Sequence, residues 1–214
     1  MLSLLAAIAF QSTTLPEKAA VEFSGIPGVT GQNIAVESHS VTITLTKQYA
    51  DVSSLTLIKN NGPAGNAGIT VSMGVVGTEM PSDPGLTGTW ANVPIAFNHP
   101  KRADQLSGIP PYEGFGKMQN LGTYALRLHY RLPIGHSGLG HKQFLAAYDL
   151  TSLVPIGTLM VTYTYGPGVV FHEPEAGPNI GWQIGQRGAF VKLAPYDGKT
   201  ALSYCAFYNA GFGG

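Results

Sequence analysis

Around residue 172 the chain sets one imidazole beside two carboxylates, Phe171-His172-Glu173-Pro174-Glu175. Imidazole nitrogen and carboxylate oxygen suit borderline and hard divalent ions, so His172, Glu173 and Glu175 are the candidate metal ligands of this sequence. The same residues also read as a solvated acidic turn, and that reading is adopted, so neither a metal nor a cofactor is expected. Gly135-His136-Ser137-Gly138 falls one residue short of a nucleophile elbow, because Leu139 stands where Gly-x-Ser-x-Gly needs its last glycine. It also lies between two expected strands, whereas an elbow serine is presented by a strand-to-helix turn. His136 and His141 have no His-x-His partner, and Asp149 and Asp197 have no second acid nearby to make a glycosidase pair. No catalytic residue is specified, and the chain is read as a non-enzyme.

The elements that would position such groups are strands. Apolar and polar residues alternate through Val41–Thr46, Tyr124–Leu132 and Leu159–Tyr165. A period of two places successive side chains on opposite faces of a pleated backbone, which is the pattern of a half-buried strand. Further strands are expected at 55–59, 69–76, 143–150, 189–193 and 201–208, with a weaker one at 89–97 whose Pro94 belongs on an edge. Asn60-Asn61-Gly62-Pro63-Ala64-Gly65-Asn66 is turn chemistry, since Asn and Gly accept positive φ and Pro fixes its own. Residues 98–121, with Pro110-Pro111 and Gly114-Phe115-Gly116, show no clean period and read as a long loop excursion.

These pieces predict an all-β fold, an antiparallel double-sheet sandwich of about eight to ten strands. Residues 1–34 read as an N-terminal arm, 35–165 as the sandwich, and 166–214 as a C-terminal extension that adds strands to it. Charged residues are only 11% of the 214, against about 25% in soluble domains generally, and the formal net charge is +0. No whole-molecule field therefore draws the protein to nucleic acid or anionic lipid. Disorder is excluded by the 44% hydrophobic content, and a disulfide scaffold by the single cysteine, Cys205. Met1–Phe10 is apolar but shorter than the roughly 20 residues of a membrane span, and it reads as an arm rather than a signal peptide.

The string Val154-Pro155-Ile156-Gly157-Thr158-Leu159-Met160-Val161-Thr162-Tyr163-Thr164-Tyr165 resembles the last strand of the jelly roll in coat proteins of small icosahedral viruses. Leu55 to Pro84 is similar to the early strands and following loop of tymovirus-like coats, the subset that lacks a basic arm. The resemblance implies a jelly-roll capsid protein of a virion, self-assembling with copies of itself and with other capsid proteins. In that setting the arm residues Leu4, Leu5, Ile8 and Phe10, with Tyr112 and Phe115 from the excursion, are the expected subunit contacts. Lys101, Arg102, Arg127 and Arg131 are the expected contacts to a packaged genome, each weak and salt-sensitive. Cross-strand pairing of Arg127 and Arg131 with acids or carbonyls is the competing use of that stripe. The alternative function is a secreted or surface β-sandwich, an adhesin or carbohydrate-binding module.

Overall fold

The computed structural model describes residues 19–46, 49–75, 84–98, 111–133, 143–166, 169–172, 182–185, 187–199 and 203–209. Every regular element among them is a strand. The first half holds β1 (Ala19–Gly25), β2 (Gly28–Thr30), β3 (Ile34–Leu45), β4 (Tyr49–Asn60), β5 (Gly65–Val71), β6 (Met73–Val75), β7 (Thr87–Trp90) and β8 (Val93–Pro94). The second half holds β9 (Tyr112–Met118), β10 (Thr123–Pro133), β11 (Gln143–Asp149), β12 (Ile156–Tyr165), β13 (Val169–His172), β14 (Gln183–Gly185), β15 (Gly188–Leu193) and β16 (Ser203–Asn209).

Eight strands form the main sheet in the order β14-β15-β12-β3-β4-β10-β7-β8. A five-stranded sheet, β13-β16-β11-β1-β6, packs with it as a sandwich, and a three-stranded sheet, β2-β5-β9, completes the fold. The three alternating segments of the sequence are β3, β10 and β12, all in the main sheet. Their inward residues are buried, including Val41, Ile43 and Leu45, then Leu126, Leu128, Tyr130 and Leu132, then Leu159, Val161 and Tyr163. Each such large side chain contributes about 1.5–3 kcal/mol on leaving water, so this face dominates the core.

The sheets depart from the expected antiparallel arrangement in two places. β12 runs parallel to β3, and β1 runs parallel to β11. Parallel neighbours cannot be joined by a tight hairpin, and both pairs are closed by partners far apart in sequence. Among the described residues sixteen strands stand where eight to ten were expected, the surplus being mostly pieces of two or three residues such as β2, β6, β8 and β14. The stretch read as an arm contains β1 and β2 from residue 19 onward, and β1 lies between β11 and β6. In the C-terminal stretch, β15 pairs with β12 and β16 with β11, so this part adds strands to both large sheets.

The excursion at 98–121 holds β9, whose burial alternates strictly along Tyr112–Met118. Two of its four inward positions are Gly114 and Gly116. A Cβ on Gly116 would stand 2.3 Å from Trp90 Cδ2, so the indole of β7 lies flat where a side chain would be. The Trp90 Nε1–H donates to the Lys117 carbonyl at 2.8 Å, and its ring stacks on Tyr124 with centroids 5.1 Å apart. Trp90 thereby fastens the three-stranded sheet to the main one.

Candidate functional site

Among the described residues no group of three or more His, Cys, Asp and Glu side chains stands close enough to hold a metal. Of the metal candidates, His172 ends β13, while Glu173 and Glu175 lie outside the described residues, as do Lys101, Arg102, Leu4, Leu5, Ile8 and Phe10. Tyr112 and Phe115 do not share a surface. They are three apart on a strand, so they leave it on opposite faces. Tyr112 is 5% exposed in the core, and Phe115 is 66% exposed.

The cationic stripe of β10 sits on the outer face of the main sheet. Arg131 is directly opposite Asp51 of β4, and its Nε–H donates to Asp51 Oδ2 at 2.7 Å. His129 Nε2 meets the other carboxylate oxygen at 2.9 Å, and the Arg131 guanidinium lies 4.8 Å over the Tyr49 ring. The hydrogen bond and charge of Asp51 raise the arginine's already high pKa. Arg131 thus has a cross-strand acid and is largely committed to it. Arg127, opposite Leu55 and Thr89, is exposed.

A histidine that the sequence motifs passed over lies between the large sheets. Glu37 is the extra residue of a bulge between Val36 and Ser38, and beyond it His39 shares the inward parity of Val41, Ile43 and Leu45. That parity is the signal that could have found it. Its Nδ1 stands 2.8 Å from Thr56 Oγ1 and its Nε2 2.9 Å from Tyr148 Oη. Burial lowers its pKa to about 3, so the ring is neutral, with one nitrogen donating and the other accepting. Held between two hydroxyls and fully buried, it is a structural node out of a substrate's reach.

A groove opens at the three-stranded sheet. Thr30, Gly31 and Gln32 from the β2–β3 turn form one wall, and Pro63, Ala64, Gly65, Asn66 and Gly68 from the β4–β5 turn and β5 form the other, with Phe115 and Met118 of β9 beside them. It measures about 600 Å³ and carries no ionisable side chain. Its shape depends on Asn60, which is buried at the end of β4. The Asn60 Nδ2 group donates to the carbonyls of Pro63 and Gln119, each at 2.8 Å, and Oδ1 accepts the Gly62 N–H at 3.0 Å. The Asn61 N–H donates to Asn33 O at 2.9 Å, where Asn33 itself adopts φ 55°. The turn chemistry read in the sequence is thus locked against two other turns.

No protein-family model matches the chain, and no curated protein matches it. Among solved structures, the fold is similar to a provisionally named nutrient-binding protein of Legionella pneumophila, with 11% identity over 88% of this chain and 72% of that one and a TM-score of 0.65. At that identity the likeness is one of fold. The M1 zinc metallopeptidase of Deinococcus radiodurans aligns over 84% of this chain and 43% of its own, at 9% identity and a TM-score of 0.42. Yeast LTA4 hydrolase in complex with bestatin aligns over 97% and 33%, at 11% identity and a TM-score of 0.46. The chain spans less than half the length of either of these two enzymes.

Chemically, the groove can offer amide donors and acceptors from Gln32 and Asn66, backbone groups from two turns, and one aromatic face. Its lining offers no charged side chain to draw in phosphate, carboxylate or a metal ion.

Proposed function

We propose that this chain is a non-catalytic β-sandwich recognition module whose groove between the β2–β3 and β4–β5 turns takes a neutral carbohydrate. The observation that carries this reading is the uncharged lining with Phe115 exposed on a strand at its side. Sugar rings present hydroxyls at their rims and C–H groups on their faces. The first suit the amides of Gln32 and Asn66, and the second suit an aromatic ring with an apolar body. The backbone at Phe115 is fixed by pairing of β9 with β5, so only the freedom of the ring itself is lost on contact. The name of the Legionella protein, which belongs to nutrient binding, agrees in kind.

The coat-protein reading would make copies of this chain its partners and the virion its location. A jelly roll is an antiparallel architecture, and the parallel pairs β3·β12 and β1·β11 favour the module instead. No helix among the described residues is long and apolar enough to cross a membrane.

Affinity electrophoresis against neutral polysaccharides (glucans, mannans, xylan and galactans) tests the proposal. Retardation by at least one of them is expected, with Phe115→Ala abolishing it at unchanged thermal stability. Absence of binding tighter than about 1 mM to the whole panel would count against the reading, and uniform particles in light scattering would return the coat protein to first place.

A further inference from the structure

A second surface stands apart from the groove. The outer face of the main sheet is a field of hydroxyls, with Ser40, Thr42 and Thr44 of β3 beside Thr162 and Thr164 of β12 in register. Thr44 Oγ1 and Thr164 Oγ1 are 2.9 Å apart and hydrogen-bonded to each other. One cross-strand row runs Thr89, Arg127, Leu55, Ser40, Met160, Lys192, and Arg127 and Lys192 are its two exposed cations. Four strand steps of about 4.8 Å separate those cations, roughly 19 Å. Lys59 of β4 adds another exposed cation. Among the described residues the acids of this face are Asp51, already engaged by Arg131 and His129, and Glu37, the bulged residue of β3. In a chain of zero formal net charge, this face carries a cationic excess.

We infer that the outer face of the eight-stranded sheet docks an acidic polysaccharide, its sparse carboxylates or sulfates meeting Arg127 and Lys192 while its hydroxyls lie over the Ser/Thr field. Charge complementarity sets the sign of the partner. The spacing sets its class. A nucleic acid carries a charge at every nucleotide and is held through several phosphate contacts or by bases stacked on aromatic platforms. In this row the cations are far apart, and between them stand one hydroxyl and two aliphatic side chains. A sugar polymer with intermittent charge matches that order.

The test uses the full chain in affinity electrophoresis and biolayer interferometry, with hyaluronan and highly methyl-esterified pectin, whose carboxylates are intermittent, as probes, and unmodified dextran and single-stranded DNA as controls. Binding to at least one acidic polymer at about 50 mM salt is expected, weakening steeply toward 0.5 M as the Debye length shrinks. The double variant Arg127→Glu/Lys192→Glu should lose about tenfold in affinity, whereas Phe115→Ala, in the groove, should retain it. The lysine-for-arginine variant Arg127→Lys should stay close to the parent. No acidic-polymer binding, binding equal to that of dextran, affinity indifferent to the charge reversals, or tighter binding to the DNA would each overturn the inference.

Discussion

His39 and Tyr148 meet between the two large sheets, the imidazole Nε2 2.9 Å from the phenol oxygen. One residue comes from β3 and the other from β11, 109 positions later, so this polar contact closes the sandwich at long range. The unfolded chain takes up a proton on His39 near pH 6.5, while the native state does so only near pH 3. Between those values the unfolded state binds more protons, so stability falls as pH drops from 6.5 toward 3. The steepest slope from this one group is about 1.4 kcal/mol per pH unit. Urea unfolding of the parent and of His39→Gln at pH 7 and pH 5 isolates it. The variant should lose about 1–3 kcal/mol at pH 7 and show a shallower fall on acidification. Parallel pH profiles would refute the assignment.

Gly116 and Gly65 predict opposite outcomes for the same substitution. Gly116→Ala drives a methyl into the Trp90 ring and should cost about 1–3 kcal/mol, with a change in tryptophan fluorescence. At Gly65 a new Cβ meets nothing within 4 Å and no positive φ is required. Gly65→Ala should therefore be neutral or stabilising by up to about 1 kcal/mol. Gly65→Leu should fold as the parent does and block carbohydrate binding in the groove. Thermal melts with a binding assay on the three variants decide the matter.

Asn60→Ala removes an amide that serves two carbonyls and one N–H in a buried turn. The cost should be about 1–3 kcal/mol, read by chemical denaturation. Because Asn60 holds the β4–β5 turn without lining the groove, carbohydrate affinity should fall as well. Full affinity with reduced stability would place the turn's shape outside recognition.

Asp51→Asn tests the outer face from its acidic side. Exposed ion pairs contribute little to folding, so the melting temperature should not move measurably. Release of Arg131 should strengthen retention on hyaluronan at low salt. Weaker retention would mean that Arg131 must be oriented by Asp51 to act.

How much of this was legible in the sequence depends on where each signal came from. β3, β10 and β12 announce themselves because each buries one face against a core, and the alternation records it residue by residue. β9 does not, since Gly114 and Gly116 occupy inward positions and the volume is filled from earlier in the chain, by Ile95 and Phe97 at the first and by Trp90 at the second. The parallel pairing of β12 with β3 is equally hidden, for strand direction is decided by distant packing and leaves no local trace. Arg131 was readable as a cross-strand partner from the stripe it belongs to, whereas Asp51 as that partner required the register. The turn at Asn60–Asn66 was plain, but its meeting with β9, which makes the groove, was not.

The main sheet ends in β8, two residues including Pro94, and in β14, three residues. A free edge recruits another chain by offering an unbroken ladder of N–H and C=O groups, and proline has no N–H to give. With so little backbone at either margin of this sheet, another molecule has scant means to extend it strand on strand. A partner that approaches the main sheet is met there by side chains, on its outer face.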